Sequence, residues 1–211
     1  TEPKMFKKHL FSALHKVTLI VTYCIAWFLM QPMKILNDWL QQNAREDHDL
    51  FTLHDLKSLL PDLSDLAFKT LLSRAVLVGC LTRVCRGLYT YKKAHTSTGL
   101  LLFHTAAYLR SNEFNYISLE TALSDAGVIS QIPMNWISIM SSGRSNIISC
   151  GKFGTIEFIH TNQNPVDIMN QLTYDANCRL WRANIALALR DMKITRRNSD
   201  LINWDVVNEL I

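Results

Sequence analysis

Two helix-forming stretches separated by only four residues limit what the first half of this chain can fold into. "LFTLHDLKSLL" and "DLAFKTLLSRAVLVG" flank "PDLS". In the first stretch Thr52 stands at the N-cap position with Asp55 in the first turn, where a carboxylate is favoured. Leu53, Leu56, Leu59 and Leu60 form its apolar stripe, and Pro61, which has no backbone donor, stops it. Ser64 caps the second stretch, which is predicted to run from Asp65 to Val78 with Gly79 as its C-terminal stop. Upstream, "MKILNDWLQQN" places Ile35, Leu36, Trp39 and Leu40 at helical spacing. Three short helices with so tight a turn between the last two predict a helix-turn-helix.

The third helix is apolar on most of its circumference, through Leu66, Ala67, Phe68, Leu71, Leu72, Ala75 and Val76. Asp65, Lys69 and Ser73 succeed one another at four-residue spacing, with Thr70 and Arg74 alongside, giving one polar strip. Such a strip fits a groove-entering helix, and equally an ordinary solvated face. Directly after the helix comes "CLTRVCRGLYTYKK": two strand-favouring segments around Gly87, which can supply the positive φ of a tight hairpin. Helix, helix, helix and hairpin is the winged-helix order. From Thr52 to Ala94 there are seven Lys/Arg and three Asp, a surplus equal to the whole chain's net charge of +4. Order and charge together predict DNA binding, because Arg on a wing can enter a minor groove and Lys neutralises phosphate. The expected contacts are Ser64, Lys69, Thr70, Ser73 and Arg74 from the cap and the helix. Arg83 and Arg86 would contribute from the wing, and Lys92 and Lys93 from the segment after it.

The 211 residues suffice for a real core, and 48% hydrophobic with 19% charged content describes a folded chain. Cys24, Cys80, Cys85, Cys150 and Cys178 form neither a Cys-x-x-Cys pair nor a disulfide framework, so reduced thiols in a cytoplasmic protein are expected. Residues 1–32 stand apart. Their uncharged run "VTLIVTYCIAWFLM" comes after four lysines, but its fourteen residues fall short of the roughly 20 that cross a bilayer. Three readings stay open: an apolar helix packed on the protein, sequence upstream of a natural start at Met33, and a membrane anchor. A membrane is not the expected partner.

The expected fold is α+β: a winged helix-turn-helix over residues 33–94, then a mixed α+β domain over residues 95–211. In the second part "LLFHTAAYLRS" and the Ser118-capped "LETALSDAGVI" read as helices. "NWISIMSS", "NIISC" and "TIEFIHT" read as strands, the last two joined by "GKFG". "ANCRLWRANIALALRDM" reads as one helix, and Asn203 caps a short terminal one. No catalytic constellation emerges. Ser149 and Lys152 match Ser-x-x-Lys only by a short pattern, Gly151 and Gly154 lack a phosphate-loop ending, and seven histidines are scattered. No enzyme activity, cofactor or metal is expected. Arg179, Arg182, Arg190, Lys193, Arg196 and Arg197 form a basic cluster with Asp191 as its one acid. It fits a solvated helix face and, alternatively, a second nucleic-acid contact.

Four segments in this order resemble the AbiEi antitoxins of bacterial abortive-infection toxin–antitoxin pairs. The helix pair leads into "G-x-L-x-R-x-x-R-G-x-Y", matched by Gly79, Leu81, Arg83, Arg86, Gly87 and Tyr89. "YISLETALSDAGVISQIP", "SSGRS…GKFGTIEFIH" and "ANIALALRDM" resemble segments of that family's second domain. The likeness covers roughly residues 33 to 205. It implies an antitoxin of a type IV system that represses its own operon by binding inverted repeats in double-stranded promoter DNA. The functional partner would be a nucleotidyltransferase-like toxin, countered without a stable protein complex. The family includes regulators without an evident toxin. A winged-helix regulator or a protein-interaction module is therefore the alternative.

Overall fold

The structure is a computed structural model that describes residues 32–45, 48–91, 98–130 and 135–210. The readings made for residues 1–31, and the contacts expected of Lys92 and Lys93, lie outside the described residues. The chain is a mixed α+β protein with two sheets, and it divides into two compact units. Of the described residues, the first unit holds 32–83 and 89–91. The second holds Val84–Leu88 and residues 98–210.

In the first unit, helix α1 (residues 32–43) precedes a short strand β1 (Leu50–Thr52), helix α2 (Leu53–Ser58) and helix α3 (Asp65–Leu77). Strands β2 (Leu81–Cys85) and β3 (Leu88–Tyr91) come next, their Val84–Leu88 tip being assigned to the second unit, and the three strands form a sheet in the order β1-β3-β2. Local chemistry fixes the helix ends. Asp55 N donates to Thr52 Oγ1 at 3.0 Å while Thr52 N donates to Asp55 Oδ2 at 2.8 Å, a reciprocal capping box. Ala67 N donates to Ser64 Oγ at 3.3 Å to start α3. At the other end Gly79, with φ 75°, lets Cys80 N reach Ala75 O at 2.9 Å and Gly79 N reach Val76 O at 3.1 Å. Between these ends α3 buries Phe68, Leu71, Leu72 and Ala75 against Leu36 and Leu40 of α1, Phe51, Leu56 and Leu81. Each such large side chain contributes about 1.5–3 kcal/mol. Leu66 and Val76, which sequence spacing groups with this apolar surface, are instead exposed, because one side of α3 already fills the core.

The second unit contains α4 (Thr98–Leu109), β4 (Asn115–Ile117), α5 (Leu119–Asp125), β5 (Trp136–Ser141), β6 (Asn146–Ser149) and β7 (Thr155–His160). After a one-turn helix α6 (Pro165–Ile168) come β8 (Leu172–Asp175), β9 (Leu180–Ala183), α7 (Ile185–Ile194) and α8 (Trp204–Leu210). Its six strands lie in the order β6-β7-β5-β4-β9-β8. Antiparallel pairs β6–β7, β5–β4 and β9–β8 alternate with parallel pairs β7–β5 and β4–β9. The single helix expected across residues 176–192 is corrected here. Leu180 and Trp181 lie on β9, and helix begins only after Asn184, whose Oδ1 accepts from Leu187 N at 2.9 Å. Pairing with a neighbour on each side outweighs the helical propensity of a stretch rich in Leu and Ala.

A buried carboxylate joins β4 to α7. Asp191 is 0% exposed; its Oδ2 accepts from Ser118 Oγ at 2.7 Å and Tyr116 Oη at 3.0 Å, and its Oδ1 from Gln163 Nε2 at 2.7 Å. Burial, and then the adjacent carboxylate charge, push the Tyr116 phenol well above its ordinary value. Ser118 is thereby diverted from the side-chain capping that its sequence position suggests. Leu119 beside it is held at φ 58° by complete burial of its side chain. Elsewhere the loop after β5 packs on an ion pair. Arg110 Nη1 lies 2.5 Å from Glu113 Oε2, and a Cβ added at Gly143 would collide with both side chains. The Arg110 hydrogen bond is the main reason that the Glu113 carboxyl is held below its ordinary value.

Asp191→Ala would leave two hydroxyls without an acceptor and the Gln163 amide with only Tyr116 Oη, at 3.2 Å, and is expected to cost about 3 kcal/mol in equilibrium urea unfolding, with Asp191→Asn losing about 1. At the end of α7, Arg196 occupies the left-handed position, φ 55°, of a cap in which Arg197 N donates to Met192 O at 2.9 Å. Arg196→Gly should relieve that backbone strain and stabilise the chain by roughly 0.5–1 kcal/mol, read in the same assay.

Candidate nucleic-acid interface

The outward side of α3 is determined by its inward one. With Phe68, Leu71, Leu72 and Ala75 buried, the helix leaves Leu66, Lys69, Thr70, Ser73, Arg74 and Leu77 in solvent. At about 100° per residue, Leu66, Thr70, Ser73 and Leu77 fall within an arc of about 60°. Lys69 lies about 70° to one side of that arc's midline and Arg74 about 70° to the other. The two hydroxyls are already engaged: Thr70 Oγ1 donates to Leu66 O at 2.9 Å and Ser73 Oγ to Lys69 O at 3.0 Å. Asp65, at the helix start, pairs with Lys57 Nζ at 3.6 Å, which partly offsets the acid nearest this face.

Of the residues expected to meet DNA, Ser64, Lys69, Thr70, Ser73 and Arg74 are all exposed on or beside this one helix. Arg83 on β2 and Arg86 in the β2–β3 turn are exposed as well. The turn carries Gly87 at φ 79°. Val84, Cys85 and Leu88, by contrast, are buried, and the hairpin tip groups with the second unit. There the buried Cys150 thiol is pushed up, chiefly by its hydrogen bond with Cys85. Sequence reasoning passed over Leu66 and Leu77 as surface residues. They are 77% and 86% exposed. Their signal was present in the spacing, since they recur with Thr70 and Ser73 at i, i+4, i+7 and i+11 opposite the filled face.

The second basic cluster is spread over several environments. Arg182 lies on β9 with its guanidinium between Asp125 and Asp175, the latter at 2.9 Å. Arg197 Nη2 is 2.5 Å from Glu157, and its Nη1 is 3.6 Å from Glu120. Arg190 Nη2 donates to Gln163 Oε1 at 2.5 Å. Arg179 turns the chain at φ 59° before β9, while Lys193 and Arg196 are exposed at the end of α7. Acids outside the cluster thus sit beside Arg182 and Arg197, Asp125, Glu120 and Glu157 from far away in sequence and Asp175 from the neighbouring strand. Among the described residues, no group of three His, Cys, Asp or Glu side chains could hold a metal ion. Nor is any described helix long and apolar enough to cross a membrane.

No protein-family model matches the chain, and no curated protein matches it.

Burial tends to raise Asp175, but hydrogen bonds from Arg182 and from Cys178 N outweigh it and hold the carboxyl below its ordinary value. The stability it contributes is therefore complete above about pH 4 and is lost as pH falls through its lowered native value. Asp175→Asn should lower Tm at neutral pH and flatten the decline below about pH 4, a difference that scanning calorimetry across pH would reveal.

Proposed function

We propose that this chain is a DNA-binding transcriptional regulator with a winged helix-turn-helix over residues 33–94. The observation that carries the reading is the outward side of α3, a solvent-facing helix with Lys69 and Arg74 flanking it on opposite sides. A helix entering the major groove needs that division, with cations toward the two phosphate walls and shorter side chains between them. The tight α2–α3 connection and the β2–β3 hairpin with exposed Arg83 and Arg86 support it. The four-segment likeness to the AbiEi family extends the proposal. On that basis the protein is a cytoplasmic autorepressor and antitoxin of a type IV system. It binds inverted repeats in its own promoter as a symmetric pair and counters a nucleotidyltransferase-like toxin without a stable complex.

A second reading has one observation in its favour. Leu77 and Val78, 86% and 69% exposed at the end of α3, suit a protein-interaction module that lacks a toxin partner.

Four phosphate contacts, from Lys69, Arg74, Arg83 and Arg86, would give log K against log salt a slope of about −4 per protomer. Gel shifts with DNA from immediately upstream of the chain's own reading frame should weaken roughly a hundredfold per protomer between 50 and 200 mM salt. Arg83→Ala plus Arg86→Ala should reduce the slope by about 2. Equal binding of that DNA and random DNA, unaltered by the double substitution, would refute the proposal.

A further inference from the structure

The chemistry of the α3 stripe is narrower than its position requires. Leu66 and Leu77 supply only hydrocarbon, and Thr70 and Ser73 have given their hydroxyl protons to the carbonyls of Leu66 and Lys69. A hydroxyl held in that bond turns its lone pairs outward and is placed to accept a hydrogen bond. Between Lys69 and Arg74 the stripe therefore offers apolar surface and acceptors, with no Asn, Gln or Arg to fork onto a base. In the major groove guanine presents two acceptors, O6 and N7, which would face acceptors across the contact. An A·T pair presents the thymine C5-methyl group and the adenine N6 amino donor, complementary to hydrocarbon and lone pair respectively.

We propose that the α3 stripe selects A·T pairs in the major groove, with Leu66 packing on a thymine methyl while the Thr70 hydroxyl accepts from adenine N6. Leu66 is then the specificity-determining residue, and Lys69 and Arg74 grip phosphate without regard to sequence. The proposal rests on the DNA-binding reading above. It goes beyond that reading in naming which bases are selected and by what chemistry. DNA is favoured as the occupant of this exposed side by charge complementarity, because a cation flanks the stripe on each side. Asp65, the acid nearest, is already paired with Lys57.

The test starts from a random-sequence DNA duplex pool selected on the full chain at moderate salt. The enriched duplexes are then remade with uracil in place of every thymine, which removes the methyl groups and leaves base pairing intact. Enriched half-sites should be A·T-rich, and uracil duplexes should bind roughly fourfold more weakly for each buried methyl lost. Leu66→Ala, a change on an exposed helix surface, should bind thymine and uracil duplexes alike. Lys69→Ala should weaken both equally and keep their ratio. Enrichment of sequences whose thymine and uracil forms bind equally would overturn the base-reading proposal and leave the DNA-binding reading standing. So would a thymine preference that survives Leu66→Ala. No enrichment and no duplex bound at low salt would overturn both. If Leu66→Ala abolishes self-association in light scattering and leaves the thymine-to-uracil ratio unchanged, the stripe is a contact between copies and the proposal fails.

Discussion

A side-chain carboxyl removed from water must have its oxygens hydrogen-bonded, and Asp191 meets that condition with three donors. Two of those donors, Tyr116 and Ser118, sit on or beside the shortest strand of the six-stranded sheet, and the third comes from the loop after β7. One side chain thus ties the central strand β4 to α7 and to the segment that leads into α6. The three-residue strand β4 also pairs with β5 on one side and β9 on the other. Short as it is, this strand buries Tyr116 and Ile117 completely. It is held by its neighbours and by these hydrogen bonds.

The first unit depends on a different device. Its helices are short, and an isolated helix of six or thirteen residues is marginal in water. Here the Ser64 cap and the Gly79 turn satisfy backbone groups at the two ends of α3. That sets the phase of α3 with respect to the core. Once Phe68, Leu71, Leu72 and Ala75 are inside, no freedom remains over which residues face water. The outward stripe is a consequence of the buried one.

Legibility tracked the physical range of each signal. Caps and stops are local, so Thr52, Ser64, Gly79 and Asn203 could be read from neighbouring residues and act as such. Strands β5, β6 and β7 announce themselves by composition. Strand β4 does not, because three residues carry too little alternation to distinguish. The start of α7 was displaced because Leu180 and Trp181 obey the sheet instead of their own propensity. At the candidate site, the exposed polar residues of α3 were legible, while Leu66 was absorbed into an apolar tally that takes no account of facing. Arg182 and Arg197 were misleading for the opposite reason: Asp125, Glu120 and Glu157 come from distant elements, and even Asp175, seven residues before Arg182, meets it only through the β8–β9 pairing.

The ion pair beneath Gly143 has a bearing on how this chain can change. Gly127, at φ 75°, has open space where a side chain would go. Its constraint is conformational, and asparagine, which tolerates the left-handed region, could take its place. Gly143 is under the reverse constraint. Its backbone angles lie outside the region that favours glycine, yet every other residue would thrust its first carbon into Arg110 and Glu113. The substitution spectra of the two glycines should accordingly differ among descendants of this sequence. One position can exchange residue type singly. The other can vary only where the ends of the Arg110 and Glu113 side chains move aside to make room.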